Sequence, residues 1–181
     1  MDEIKKIYKK YDDEQRKKWN RSLPLQDTLD DRWERAKRLK FGKKTSIYNS
    51  SFVFGKVIVG ENTWIGPNVV LDGLAAKLQI GNNCSISAGV QIYTHDSINW
   101  ALSGGKLKYV IKPVLIGSNN YIGSLSIILP GSKIGSHCLI AAQSLINCEV
   151  EDYSIYSGIP AKKIGYIDIS KKFPKRIYFK K

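Results

Sequence analysis

Large aliphatic residues recur at every sixth position through most of the chain. The series runs Val53, Val59, Ile65, Leu71, resumes at Ile80, Ile86, Ile92, and continues unbroken at Ile116, Ile122, Ile128, Ile134, Ile140 and Ile146. An interval of six matches neither the 3.6-residue period of a helix nor the simple alternation of a flat strand. Glycine follows many of these positions (Gly60, Gly66, Gly81, Gly117, Gly123, Gly135), and a small or modest residue stands four places after them (Thr63, Val69, Cys84, Ser126, Ser132, Cys138, Ser144). The pattern predicts a short strand, a sharp corner and another short strand, with one aliphatic per side pointing inward and glycine giving the corner its backbone freedom. Three sides close a coil of about 18 residues, and coils stack at roughly 4.8 Å, the spacing of hydrogen-bonded strands. A flat antiparallel sandwich gives no reason for six consecutive isoleucines at a fixed interval. The expected core is therefore an all-β parallel β-helix over residues 45–165.

The repeat breaks twice, and insertions in solenoids gather on the working face. Three extra residues lie between Leu71 and Ile80, and a 24-residue step separates Ile92 from Ile116. The second break reads as a loop over about residues 96–112, leaving the coil near His95 and rejoining by Pro113. A junction between rigid strand and loop can hold an imidazole in one place while the loop closes over a ligand. Asp96 beside it either orients the ring or caps the turn.

Ahead of the repeat, residues 1–44 read as a helical basic extension. Ile4, Ile7, Tyr8, Tyr11 and Trp19 fall at helical spacing, as do Leu29, Trp33, Ala36 and Leu39, with Thr28 and Asp31 resembling a capping box and Gly42 a stop. The expected role of these helices is to plug the open end of the β-helix, whose last coil would otherwise expose a pairing edge, or to pack on a neighbour. Residues 166–181 form a basic tail mixing aromatics with cations, suited to peripheral contact with an anionic membrane or to packing back along the β-helix.

Composition refines this picture in three ways. The net charge is +13, but residues 1–44 carry 15 cationic against 9 acidic side chains and residues 162–181 carry 8 against 1, while residues 45–161 balance 6 against 6. The neutral repeat lacks the electrostatic footprint of a nucleic-acid binder. Three cysteines (Cys84, Cys138, Cys148) without CxxC spacing indicate neither a disulfide framework nor a zinc ribbon. No run of the sequence approaches a membrane span, and the charged start MDEIKKIYKK lacks an apolar leader, so a cytoplasmic location is the expectation.

The stretches IGNNCSISAGVQIYTHD (80–96), KPVLIGSNNYIGSLSIILPGSKIGSHCLIAAQS (112–144) and SGIPAKKIG (157–165) resemble, in order, the hexapeptide-repeat acyltransferases, and within them the sugar O-acetyltransferases of bacterial polysaccharide gene clusters. The resemblance implies a left-handed parallel β-helix, a homotrimer with its sites in grooves between copies, and acetyl-CoA as co-substrate. It implies His95 as general base, with transfer from a thioester to a hydroxyl and no metal. It also implies an oxyanion donor at Gly123 and Ser124, with Tyr121 in place of a frequent tryptophan. Ala141 and Ala142 would let the pantetheine arm lie flat, and Lys162 and Lys163 would meet the nucleotide phosphates. Cys148 stands where many relatives have a lysine that contacts the cofactor. Asn68, Asp72 and Trp100 are the candidates to meet the acceptor sugar.

Two other functions on this fold bear comparison. N-acetylation of an amino sugar carried on a nucleotide differs little in its demands, since an amine near neutrality needs less help from a base. Zinc carbonic anhydrases of this fold draw three histidines from two chains, and here only His95 and His137 exist, with His137 on a regular corner.

Overall fold

The computed structural model describes residues 2–171 and 173–179. The six-residue series winds into a three-sided parallel β-helix. On its first face, Ser46–Ile47, Trp64–Ile65, Ser85–Ile86, Tyr121–Ile122, Leu139–Ile140 and Ser154–Gly158 stack in that order. Gln91–Tyr93, Ile127–Ile128 and Leu145–Ile146 belong to the second face, and Val114–Ile116, Lys133–Ile134 and Glu149–Val150 to the third. Two longer strands, Phe52–Val59 and Val70–Ile80, run from second face to third: Val70 to Asp72 pair with residues 91–93, and Leu78 to Ile80 with residues 114–116.

Register is strict, so like stacks on like. Ile86 lies against Ile122 and Ile122 against Ile140; Leu71 against Ile92 and Ile92 against Ile128; Ile80 against Ile116 and Ile116 against Ile134. Ile86, Ile92, Ile122, Ile128, Ile140 and Ile146 are fully buried, forming one apolar column inside the prism. Burying each such side chain is worth about 1.5–3 kcal/mol.

The small residues of the repeat fasten neighbouring coils. Thr63 Oγ1 donates to the Gly81 carbonyl at 3.0 Å and accepts from the Cys84 N–H at 3.1 Å. Cys84 Sγ donates to Gly117 O at 3.2 Å, Cys138 Sγ to Glu151 O at 3.0 Å, and Ser126 Oγ to Ala141 O at 3.0 Å. Burial pushes the Cys84 and Cys138 thiols up from the ordinary range, keeping both as neutral S–H donors.

The glycines act differently from the expectation. At two corners the left-handed backbone falls on other residues: Asn62, Asn83, Asn119, His137 and Tyr153 at one, Asn68, Gly89, Leu125 and Gln143 at the other, with φ between 52° and 70°. Asparagine tolerates that conformation better than most side chains. Gly81, Gly117 and Gly123 are needed for close approach. A Cβ on Gly123 would lie 2.4 Å from Ala142 N, and one on Gly81 would lie 2.7 Å from the Gly117 backbone.

Both breaks in the repeat occur where the second face turns into the third, one above the other. The three extra residues form a bulge after Gly73, where the pairing jumps from Gly55↔Gly73 to Val57↔Leu78. The longer insertion is an antiparallel arm, His95–Asp96 against Val110–Ile111, carrying the short helix α4 (Ile98–Leu102). The Ala76 N–H reaches Thr94 Oγ1 at 3.4 Å, tying bulge to arm.

At the N-terminal end, α1 (Asp2–Trp19), α2 (Leu25–Leu29) and α3 (Arg32–Arg38) precede the first coil. Helix α3 is the part that covers the coil: Ala36 is fully buried, and the Arg35 guanidinium donates to the Tyr48 carbonyl and, at 2.7 Å, to that of Ser51. Asp31 caps α3, accepting from the N–H groups of Trp33 and Glu34. Thr28 takes no part in that cap; it is buried inside α2 with Oγ1 on the Leu23 and Pro24 carbonyls. Helix α1 packs on α2, turning Tyr8 and Asp12 inward while Ile4, Ile7, Tyr11 and Trp19 stay exposed. The coil end is thus closed by α3, joined by Asp27 of α2, whose carboxylate accepts from the N–H groups of Asn49 and Ser50.

The tail does pack back. Ala161–Asp168 pairs antiparallel with Ser154–Gly158, and Lys175–Tyr178 pairs with Ala161–Asp168. Of its cations, Lys172, Lys180 and Lys181 lie outside the described residues, as does Met1 of the N-terminal extension. Among the described residues no helix is long and apolar enough to cross a membrane.

Candidate active site

Strand Val70–Ile80 and the arm bring one acid and one imidazole together. Asp72 pairs in register with Tyr93, so the next coil carries its chain past Asp72 just as it turns outward into the arm. His95 Nδ1 then lies 3.1 Å from Asp72 Oδ2, with the two side chains 29% and 8% exposed. The approach is oblique: Nδ1 is buried, yet no hydrogen bond of it points along the ring plane. The other oxygen, Oδ1, accepts from the Leu74 N–H at 2.9 Å. Asp72 also acts on Tyr93, whose hydroxyl donates to Gln91 Oε1 at 2.7 Å; burial, with the Asp72 charge adding to it, pushes that phenol above its ordinary range.

Asp96 does the other of the two jobs open to it. Its Oδ1 accepts from the Ile98 N–H at 3.1 Å and caps the turn into α4. The carboxylate facing the imidazole is Asp72, taken from the sequence as a sugar contact. The arm also places two aromatics near the ring: Tyr109 parallel to His95, and Trp100 edge-on to Tyr109. Trp100 is 46% exposed and free to meet a ligand. Tyr109 escaped the sequence reading because nothing in its spacing marks it; its place follows from the ladder that puts Ile111 opposite His95.

Of the residues expected to hold an acyl donor, Gly123, Ser124, Ala141 and Ala142 collect elsewhere, at the corner between the first face and the second. Ser124, Leu125, Ala142 and Gln143 line this edge, joined by Leu125 N–H to Ala88 O and Gln143 N–H to Ser124 O. Beside it lies a groove of about 490 Å³ lined by Leu125, Ile127, Gln143, Ser144, Leu145 and Ile159, apolar for most of its length. Ala142 is exposed and small, so a linear chain can run past it; Ala141 is half-buried, its N–H on Tyr156 O. The Gly123 N–H donates to Ile140 O at 2.8 Å and is spent within the sheet. Among the described residues the Ser124 N–H has no acceptor in the chain, so of the two expected donors only Ser124 is available.

The remaining candidates spread out. Asn68 is exposed on the same corner as Ser124, on an earlier coil, and does not reach Asp72 or His95. Tyr121, 46% exposed, stands on the outer side of the first face with His137, Leu139, Arg176 and Tyr178, in a groove of about 670 Å³. Lys163 is committed to Glu151 at 2.6 Å, an ion pair that holds its ammonium above the ordinary range, whereas Lys162, its neighbour on the same strand, is exposed without an ion pair among the described residues. Cys148 is half-buried against the core. Among the described residues no group of three or more His, Cys, Asp or Glu side chains is placed to hold a metal.

In a single chain the imidazole and the donor corner are apart. Ile127 pairs with Gln91, which sets Ser124 level with Ala88, and His95 lies seven residues further along that coil. At about 3.3 Å per residue the chain path between them is at most roughly 23 Å and crosses the whole second face.

Comparison with known proteins agrees with this architecture. Residues 113–148 match the family described as bacterial transferase hexapeptide (six repeats). A chloramphenicol acetyltransferase of Klebsiella aerogenes is 33% identical over 106 residues, covering 49% of this chain and 50% of the relative, so the chain spans about half that protein's length. The galactoside O-acetyltransferase of Escherichia coli K12 is 25% identical over 142 residues, covering 67% of this chain and 68% of the relative. Among solved structures, AntD, an N-acyltransferase from Bacillus cereus in complex with dTDP and 3-hydroxybutyryl-CoA, superposes with a TM-score of 0.63 at 25% identity, covering 70% of this chain and 71% of that one. With the repeat and the stacked coils, the chain carries the bacterial transferase hexapeptide repeat over residues 113–148 and is similar over part of its length to these acyltransferases.

Proposed function

We propose that this protein transfers an acetyl group from acetyl-CoA to a sugar hydroxyl in bacterial surface polysaccharide synthesis, acting in the cytoplasm as a homotrimer. The observation that carries the reading is the Asp72–His95 pair at the root of the arm. A sugar hydroxyl is a poor nucleophile until its proton is removed. His95 removes it through Nε2, while Asp72 beside Nδ1 favours the imidazolium that forms. The freed oxygen attacks the thioester carbonyl, and the developing oxyanion needs a fixed donor, for which the Ser124 N–H is the available group. Collapse of the tetrahedral adduct breaks the carbon–sulfur bond, and the imidazolium returns its proton to the departing thiolate. Atoms and charge balance without a covalent acyl-enzyme.

The apolar groove beside Ala142 and Leu125 is the place for the pantetheine arm of coenzyme A, with the exposed Lys162 as the cation for its phosphates. The separation of His95 from Ser124 is the reason for invoking a trimer: three-fold closure sets one copy's arm against the next copy's donor corner and completes three equivalent clefts. Trp100 then offers an aromatic face to the acceptor.

The test is thiol release from acetyl-CoA with a panel of free, lipid-linked and nucleotide-linked sugars, for the wild type and His95→Ala. Release with a sugar hydroxyl that falls by about 10²–10⁴-fold in the variant supports the reading. An amino sugar as the sole acceptor, with activity largely kept in His95→Ala, moves the assignment to N-acetylation. Absence of release with every class removes the enzymatic reading.

A further inference from the structure

Asp72 alone under-determines the ring it serves. Its contact with Nδ1 is short but oblique, and the terminal torsion of a histidine is soft and broad, so one oblique contact leaves rotation of the imidazole open. A second restraint is present on the arm. His95 faces Ile111 across the antiparallel ladder, which makes Tyr109 its diagonal neighbour on the same side. The two rings are parallel to within 12°, with centroids 6.2 Å apart. Trp100 stands edge-on to Tyr109 at 5.8 Å and 82°, and the turn at Gly105 runs close beneath the indole.

These aromatic contacts are not what holds the arm together. The Ser103 hydroxyl accepts from the N–H groups of Lys106 and Leu107, the Asp96 carboxylate accepts from that of Ile98, and the Lys112 N–H donates to the Thr94 carbonyl. These backbone bonds do not depend on the aromatic contacts.

We infer that Tyr109 is a positioning residue for His95: its ring, braced by Trp100, fixes the imidazole plane so that Nε2 keeps one heading while Nδ1 stays on Asp72. The inference rests on His95 acting as general base. It assigns the restraint to the ring of Tyr109, with no part for the phenol hydroxyl.

The test uses full-length Tyr109→Phe and Tyr109→Leu, read by steady-state kinetics, imidazole NMR and thermal melting. The chain has two histidines, His95 and His137, so a His137→Gln control assigns the signals. Tyr109→Phe should stay within about twofold of wild type in kcat. Tyr109→Leu should lose about 10–100-fold in kcat, with KM for acetyl-CoA within about twofold, because a displaced base slows chemistry and leaves donor binding alone. The His95 resonances should broaden in Tyr109→Leu and stay sharp in Tyr109→Phe, at an unchanged melting midpoint. Wild-type kcat in Tyr109→Leu, equal damage from both substitutions, or identical His95 spectra in all three proteins would overturn the inference. If the wild type transfers no acyl group to any acceptor, the general-base reading fails, and the NMR comparison still decides whether Tyr109 restrains the ring.

Discussion

Asp72 and His95 sit on successive coils, and the strand register that pairs Asp72 with Tyr93 is what brings its carboxylate to 3.1 Å from the imidazole. The acid that serves the base is thus supplied from the coil below, while the acid next to it in sequence, Asp96, is engaged with the Ile98 N–H.

Asp72→Asn should therefore lower kcat by more than about 10-fold, with roughly 10⁴-fold the extreme for a carboxylate lined up with its general-base histidine. Asp96→Asn keeps an oxygen to accept from Ile98 and should remain within about threefold. Comparing kcat in the thiol-release assay separates the two, and equal losses would show that the geometry has been assigned the wrong roles.

The glycines that follow the aliphatics predict a stability effect. Gly123→Ala places a methyl 2.4 Å from Ala142 N and Gly81→Ala places one 2.7 Å from the Gly117 backbone. Each should destabilise by about 1–3 kcal/mol, the range for overpacking. In the core, Ile128→Ala should cost about 2–5 kcal/mol. Denaturant melts with an unchanged slope would report both. A neutral Gly123→Ala would mean that the coils are further apart than described.

The cysteines predict a labelling pattern. Cys84 and Cys138 are buried, donate to carbonyls and have thiols pushed up by burial; Cys148 is half-buried. Since the thiolate is the reactive form, a thiol reagent at pH 8 should modify Cys148 first, the other two following only on unfolding. Fast reaction of all three in the folded protein would contradict the fastening role given to Cys84 and Cys138.

The prism was legible in the sequence because a register repeated without slips leaves an arithmetic trace: Ile116 to Ile146 could be counted before any face was known. The two breaks were equally plain, as was the loop rooted at His95. Less legible was how the breaks stack. Leu71 to Ile80 and Ile92 to Ile116 look unrelated along the chain, and only the pairing of Leu71 with Ile92 and Ile80 with Ile116 places them at one corner. For the same reason Asp72 read as a sugar contact, and Tyr109, whose position depends on an antiparallel ladder inside an aperiodic loop, went unnoticed. The corner glycines misled in a different way, since a missing side chain reads alike whether it permits an unusual φ or a close neighbour. Gly123 was the costly case, because its N–H is tied to Ile140 O and the free donor is one residue on.

The central claim is that His95 of one copy works with the donor corner of another, and co-expression of two inactive variants tests it most directly. His95→Ala removes the base, and Ala142→Trp fills the exposed edge of the donor groove while leaving His95 intact. Purified mixed oligomers should recover about one third of the wild-type activity, since a trimer holding both variants has one cleft of its three that joins an intact base to an intact donor corner. Mixed oligomers as inactive as their parents would put base and donor in the same chain and contradict the account.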